Sequence, residues 1–103
     1  MMSNSEEFKL ALLNRAKSVL FNPNEITDEA LSVVCHEVDE ECGGRNVKTW
    51  AMMDFAIIRL KIFLKIALSE EDIVLLKSAT NEIKNSPLIS QTKNGSAFNY
   101  AAV

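Results

Sequence analysis

Helix breakers are scarce in this chain, with two prolines and three glycines in 103 residues. A fold of many short strands needs far more turn-forming residues, so an all-β architecture is disfavoured. Net positive charge is also missing. Fourteen acids outnumber eleven bases, for a net charge of −3. A surface that tracks nucleic-acid phosphates needs a basic face, so sequence-specific binding to nucleic acid is not expected. With one histidine and two cysteines, the chain lacks the closely spaced ligand pairs of a zinc site. There is no Gly-rich phosphate loop either. Gly43-Gly44 follows a predicted helix and leads to Arg45, without the strand or the Lys-Ser/Thr that such a loop requires. The first residues, MMSNSEEF, contain early acids and no apolar segment. No secretory signal is read there, and a reducing, cytoplasmic setting is expected.

What the chain does have is aliphatic side chains, at 48% hydrophobic residues. That is enough for one small core and places the chain among folded domains. The pattern predicts an all-α fold: a compact bundle of about four helices with a central apolar helix and an extended C-terminal tail. Residues 1–86 form the helical domain and 87–103 the tail or arm.

The first helix is predicted from about Ser5 to Leu20. Ser3 and Glu6 have capping-box spacing, and Phe8, Ala11, Leu12, Ala16, Val19 and Leu20 form its apolar stripe. Phe21-Asn-Pro-Asn24 stops it. The second helix begins at Thr27, a capping residue. Asp28 and Glu29 suit the positive helix start, and Ile26 is placed to staple onto Leu31. Leu31, Val34, Cys35, Val38 and Cys42 form its seam, and Gly43-Gly44 ends it. Cys35 and Cys42 lie on one helix with Cα atoms roughly 10 Å apart at 1.5 Å per residue. Pairing needs less than about 7 Å, so a disulfide between them would break the helix.

The third helix is predicted from between Asn46 and Thr49 through Leu68. Its stretch WAMMDFAIIRLKIFLKIAL (Trp50–Leu68) has the length of a membrane span but carries Asp54, Arg59, Lys61 and Lys65. Each such charge costs roughly 2.5–3.5 kcal/mol at a bilayer centre. The segment therefore reads as the central helix of the domain, wrapped by neighbours on most sides. Asp54, Ile58, Lys61 and Lys65 fall on one narrow stripe, with Arg59 beside it. Trp50 is a core anchor or an interface residue; Met52 and Met53 are core fillers or adaptable contacts. The fourth helix begins at Ser69, where Ser69-Glu-Glu-Asp72 is a capping-box pattern. Ile73, Leu76, Ala79 and Ile83 form its inward seam, and Asn85-Ser86-Pro87 stops it. The tail SPLISQTKNGSAFNYAAV holds one turn signal, Asn94-Gly95, and keeps Leu88, Ile89, Phe98 and Tyr100. A hairpin, an extended arm and a frayed end all fit it.

No set of residues reads as catalytic, cofactor-binding or metal-binding. His36 neighbours Cys35, but one residue along a helix is a rotation of about 100°. The two therefore diverge, which disfavours a metal site and a Cys–His nucleophile alike. Glu37, Asp39, Glu40 and Glu41 form a solvated face rather than an acid–base pair. A helix-turn-helix reading fails because the helix after Gly43-Gly44 is too apolar to read a groove. Charge is segregated instead. Residues from Glu25 to Glu41 include Glu25, Asp28, Glu29, Glu37, Asp39, Glu40 and Glu41 and no Lys or Arg. Lys48, Arg59, Lys61 and Lys65 follow with one acid, Asp54. These faces meet within the domain or across a subunit boundary.

Three segments together resemble the small helical head–tail connector, or head-completion, proteins of tailed bacteriophages and prophages. They are ITDEALSVVCHEVDEECGGR (Ile26–Arg45), WAMMDFAIIRLKIFLKIAL (Trp50–Leu68) and EEDIVLLKSATNEIKNSPLI (Glu70–Ile89). The likeness covers more than half of the chain. It departs at the corner ending the first segment, where Glu41-Cys42-Gly43 stands in place of a Tyr-containing turn. The resemblance implies a non-catalytic virion protein that oligomerises into a ring joining the capsid portal to the tail. Ring closure uses two unlike patches per subunit. On this reading Glu37, Glu40 and Glu41 would meet Arg59, Lys61 and Lys65 of a neighbour, and Leu88, Ile89, Phe98 and Tyr100 would lie on a partner. The expected partners are copies of the chain and the portal or another virion protein, with no membrane contact. The competing expectation is a small cytoplasmic adaptor or inhibitor, antitoxin-like, that docks one helix face on one protein partner.

Overall fold

The computed structural model describes residues 4–19 and 26–88. It is a bundle of four helices: α1 (Asn4–Val19), α2 (Asp28–Cys42), α3 (Thr49–Phe63) and α4 (Glu70–Asn85). No strand occurs among the described residues. One isolated antiparallel bridge joins Arg45 to Leu88.

Local chemistry sets most of the helix ends. The Thr27 hydroxyl accepts the Ala30 amide at 3.1 Å and starts α2. Gly43, at φ 53°, ends it by donating its amide to the Asp39 carbonyl at 3.1 Å. A Cβ there would find ordinary van der Waals room, so the left-handed backbone, not space, favours glycine. At the start of α4 both halves of the Ser69 capping box form. The Asp72 amide donates to the Ser69 hydroxyl at 3.1 Å, and the Ser69 amide to an Asp72 carboxylate oxygen at 3.0 Å.

The third helix stops at Phe63, five residues short of the predicted Leu68. The Ile66 amide donates to the Lys61 carbonyl at 2.8 Å, and the Lys65 amide to the Ile62 carbonyl at 3.0 Å. This is a Schellman turn, and its left-handed position is held by Lys65 at φ 61°. No glycine announces the stop. Tertiary packing forces it: Leu64 and Ile66 turn back onto the core, and the chain needs these residues to reverse before Ser69.

The core forms around α3, which buries Ala51, Phe55, Ala56, Ile57, Ile58 and Leu60. Leu12 and Ala16 of α1, Ala30, Leu31, Val34, Val38 and Cys42 of α2, and Ala79 and Ile83 of α4 close on it. Several expected orientations change. Trp50 is 46% exposed and is no core anchor, and Ile73 is exposed rather than part of the α4 seam. Ala11 and Val19 are exposed on α1. The predicted charged stripe on α3 also dissolves, because Ile58 is buried and Lys65 lies beyond the helix end.

The start of the expected tail is tethered. The Asn46 amide donates to the Pro87 carbonyl at 2.8 Å, and Arg45 Nη1 to the Ser86 carbonyl at 2.9 Å. Ser86 is buried, and its hydroxyl donates to the Glu82 carbonyl. These bonds fasten the end of α4 to the α2–α3 connection. The capping residue Ser3, the loop proline Pro23 and the tail beyond Leu88, including Ile89, Phe98 and Tyr100, lie outside the described residues.

Candidate functional site

Among the described residues, one pair between the two segregated charge faces closes within the subunit, and a second base, Lys61, finds its acid elsewhere, on α4. Arg59 on α3 grips Glu37 on α2 with both arms: Nε to Oε1 at 3.2 Å and Nη2 to Oε2 at 3.0 Å. The hydrogen bond to Glu37 pushes the Arg59 pKa higher still, so the guanidinium stays charged. Lys61 Nζ bonds Asp72 Oδ1 at 2.9 Å, with both side chains largely covered. The lysine bond, and then the Ser69 amide, hold the Asp72 carboxyl below its ordinary range. Pairing across α2, α3 and α4 thus engages Glu37, Arg59 and Lys61 before any partner arrives. Glu40 lies 3.4 Å from exposed His36, one turn away, and Glu41 is exposed.

Glu37, Glu40, Glu41 and Arg59 do come together. With Phe55, Leu76 and Thr80 they line a shallow cleft of about 520 Å³ between α2, α3 and α4. Lys61 and Lys65 are not part of it, nor is Leu88, which sits exposed at the bridge to Arg45.

A larger groove, of about 680 Å³, runs between the first half of α1, the second half of α2 and the start of α3. Phe8, Val38, Cys42, Val47, Met52 and Met53 give it an apolar floor, and Glu7 and Asp39 are among its charged residues. Burial raises both thiols here. Cys35 rises, partly opposed by Lys9, and Cys42 is pushed up to about 11, with Asp39 and Glu41 adding to the effect. Both cysteines are free and uncharged near neutral pH, so they contribute apolar surface rather than a nucleophile. No group of three or more His, Cys, Asp or Glu among the described residues is placed to hold a metal.

Sequence reasoning missed a third surface. Ile62 and Phe63 at the end of α3, and Ile73, Val74 and Leu75 at the start of α4, are between 41% and 64% exposed. The Lys61–Asp72 bond holds these two helix ends together. None of the five lines either cleft. One signal was available. Ile73 to Leu76 are four consecutive apolar residues, and on a helix such a run sweeps about 300°. They cannot all face one core, and Val74 is the most exposed of the five.

No helix among the described residues is long and apolar enough to cross a membrane. The chain matches no protein-family model, no curated protein and no solved structure.

Proposed function

We propose that this chain is a non-catalytic assembly protein, built to be covered by other protein surfaces. The observation that carries this reading is the group of five exposed apolar side chains at the α3–α4 end. Single exposed apolar side chains are ordinary, but five at two helix ends held together by Lys61–Asp72 suit a surface that another protein covers. In its fullest form the reading is that of a phage or prophage head–tail connector, in which copies of the chain form a ring between portal and tail. The segment resemblance supports that form. The charge argument for it narrows, since Glu37, Arg59 and Lys61 have partners inside the subunit. The docking role passes from charge to apolar surface.

Light scattering on the size-exclusion eluate tests this reading, over a range of protein concentration and with portal protein added. Assembly alone or on the portal is the expected result. A monomer under all conditions, with no binding to portal, overturns it.

The α1–α2–α3 groove supports a second reading, as an adaptor or inhibitor. Its methionine- and phenylalanine-containing floor suits an amphipathic helix laid in from one partner. That reading predicts a 1:1 complex and no self-assembly, so the same measurement separates the two.

A further inference from the structure

The groove and the apolar end are distinct surfaces at opposite ends of α3. Met52 and Met53, at the groove, lie in the first turn and a half of the helix; Ile62 and Phe63 lie in its last turn. Ile62 lies nine positions after Met53, a rise of about 13 Å at 1.5 Å per residue. One surface is concave with an apolar floor. The other lines neither cleft and presents Phe63 and Val74 to solvent. We propose that these surfaces bind one another between copies of the chain, with the α3–α4 end of one subunit seated in the α1–α2–α3 groove of the next. This rests on the self-assembly reading above and names its contact.

Charge supports a second copy as the occupant. Lys65 stands exposed at the turn closing the apolar end and has no ion-pair partner among the described residues. Glu7 and Asp39 at the groove have none either, whereas the groove's Lys9 is taken by Asp28 at 2.6 Å. Arg45, which also lines the groove, is turned to the Ser86 carbonyl at 2.9 Å and has no acid partner among the described residues, so the seated end brings an unpaired cation to a wall with two unpaired anions and one such cation. Glu70 and Glu71 at the same end already lie against the positive start of α4. Because the two surfaces differ, the contact is head-to-tail, and every subunit in a chain or ring uses both.

The test uses full-length protein and native mass spectrometry. Val74→Asp with Phe63→Ser disables the end. Ala11→Arg with Ser32→Arg fills the groove from exposed wall positions without touching the core. Helical circular dichroism and melting confirm that each variant folds. Each variant alone is expected to associate at least roughly tenfold more weakly than the unaltered chain. Mixed in equal parts, they are expected to form a 1:1 heterodimer that grows no further, since each supplies the surface the other lacks. Lys65→Glu is expected to weaken association, and adding Asp39→Lys to restore it.

If the mixture stays monomeric, or the groove variant assembles as well as the unaltered chain, the proposed contact is wrong while self-assembly stands. If the unaltered chain never associates, both the contact and the self-assembly reading fall.

Discussion

Lys61, in the last turn of α3, reaches Asp72 in the first turn of α4 at 2.9 Å, and the other Asp72 oxygen holds the Ser69 amide at 3.0 Å. One carboxylate thus fixes both the start of a helix and the reversal that brings two helices together. The two ends that carry the exposed apolar group are positioned by this residue.

Asp72→Ala is expected to destabilise the fold by about 2–4 kcal/mol. It removes half of the capping box and leaves Lys61 covered without a counter-charge. Lys61→Met is expected to cost less, about 1–2 kcal/mol, because Asp72 keeps its backbone partner. Urea unfolding followed by circular dichroism measures both. The pH dependence follows from the lowered Asp72 pKa. A carboxyl whose folded pKa lies below its unfolded value stabilises the fold above the unfolded pKa. That contribution fades as pH falls below about 4, through the folded value. The stability lost on acidification should shrink in Asp72→Asn.

Lys65 occupies a left-handed position that costs a non-glycine residue about 1–2 kcal/mol. Lys65→Gly is expected to stabilise by about 0.5–1 kcal/mol, after the larger entropy glycine loses on folding. The reverse experiment is Gly43→Ala at φ 53°, expected to destabilise by about 1 kcal/mol. Opposite shifts in melting temperature would establish that both turns are set by backbone conformation.

Arg59 and Glu37 bond through two parallel contacts, yet each side chain is about one-third exposed. Solvent screening limits such a pair, so the coupling energy from a double-mutant cycle of Arg59→Ala and Glu37→Ala should be about 0.5–1 kcal/mol. A value indistinguishable from zero would mean that the two arms do not act together in solution.

Cys42 has a pKa near 11 and is buried. Alkylation by iodoacetamide near neutral pH should be much slower than for an unstructured cysteine, and unfolding in urea should remove the difference. Fast labelling of the folded protein at Cys42 would contradict the packing of the α2 seam.

Much of the fold was legible because its signals are local. Thr27, Gly43-Gly44 and the Ser69–Asp72 box each act within one turn, so their spacing placed the ends of α2 and the start of α4. The seam of α2 was readable for the same reason, since Leu31, Val34 and Val38 repeat at helical spacing. The end of α3 was not readable. Lys65 is an ordinary helix former, and nothing in IFLKIAL marks a reversal. Among the residues expected at an interface, Glu37, Glu40, Glu41 and Arg59 read as charged faces in the sequence and do line one cleft. That Glu37, Arg59 and Lys61 pair inside the subunit depends on distances between helices, which helical spacing does not contain.

The sequence by itself determined the helical class, the number of helices, the caps of α2 and of the start of α4, and the apolar character of the central rod. These follow from backbone hydrogen bonding and side-chain periodicity within about four residues. Only the tertiary structure decided where α3 stops, which charges neutralise one another and which apolar residues remain in water. A side chain on a helix wrapped from most sides is buried only where a neighbouring helix reaches it. At Ile62 and Phe63 the covering helices fall short, and surfaces of the same apolar composition are left exposed.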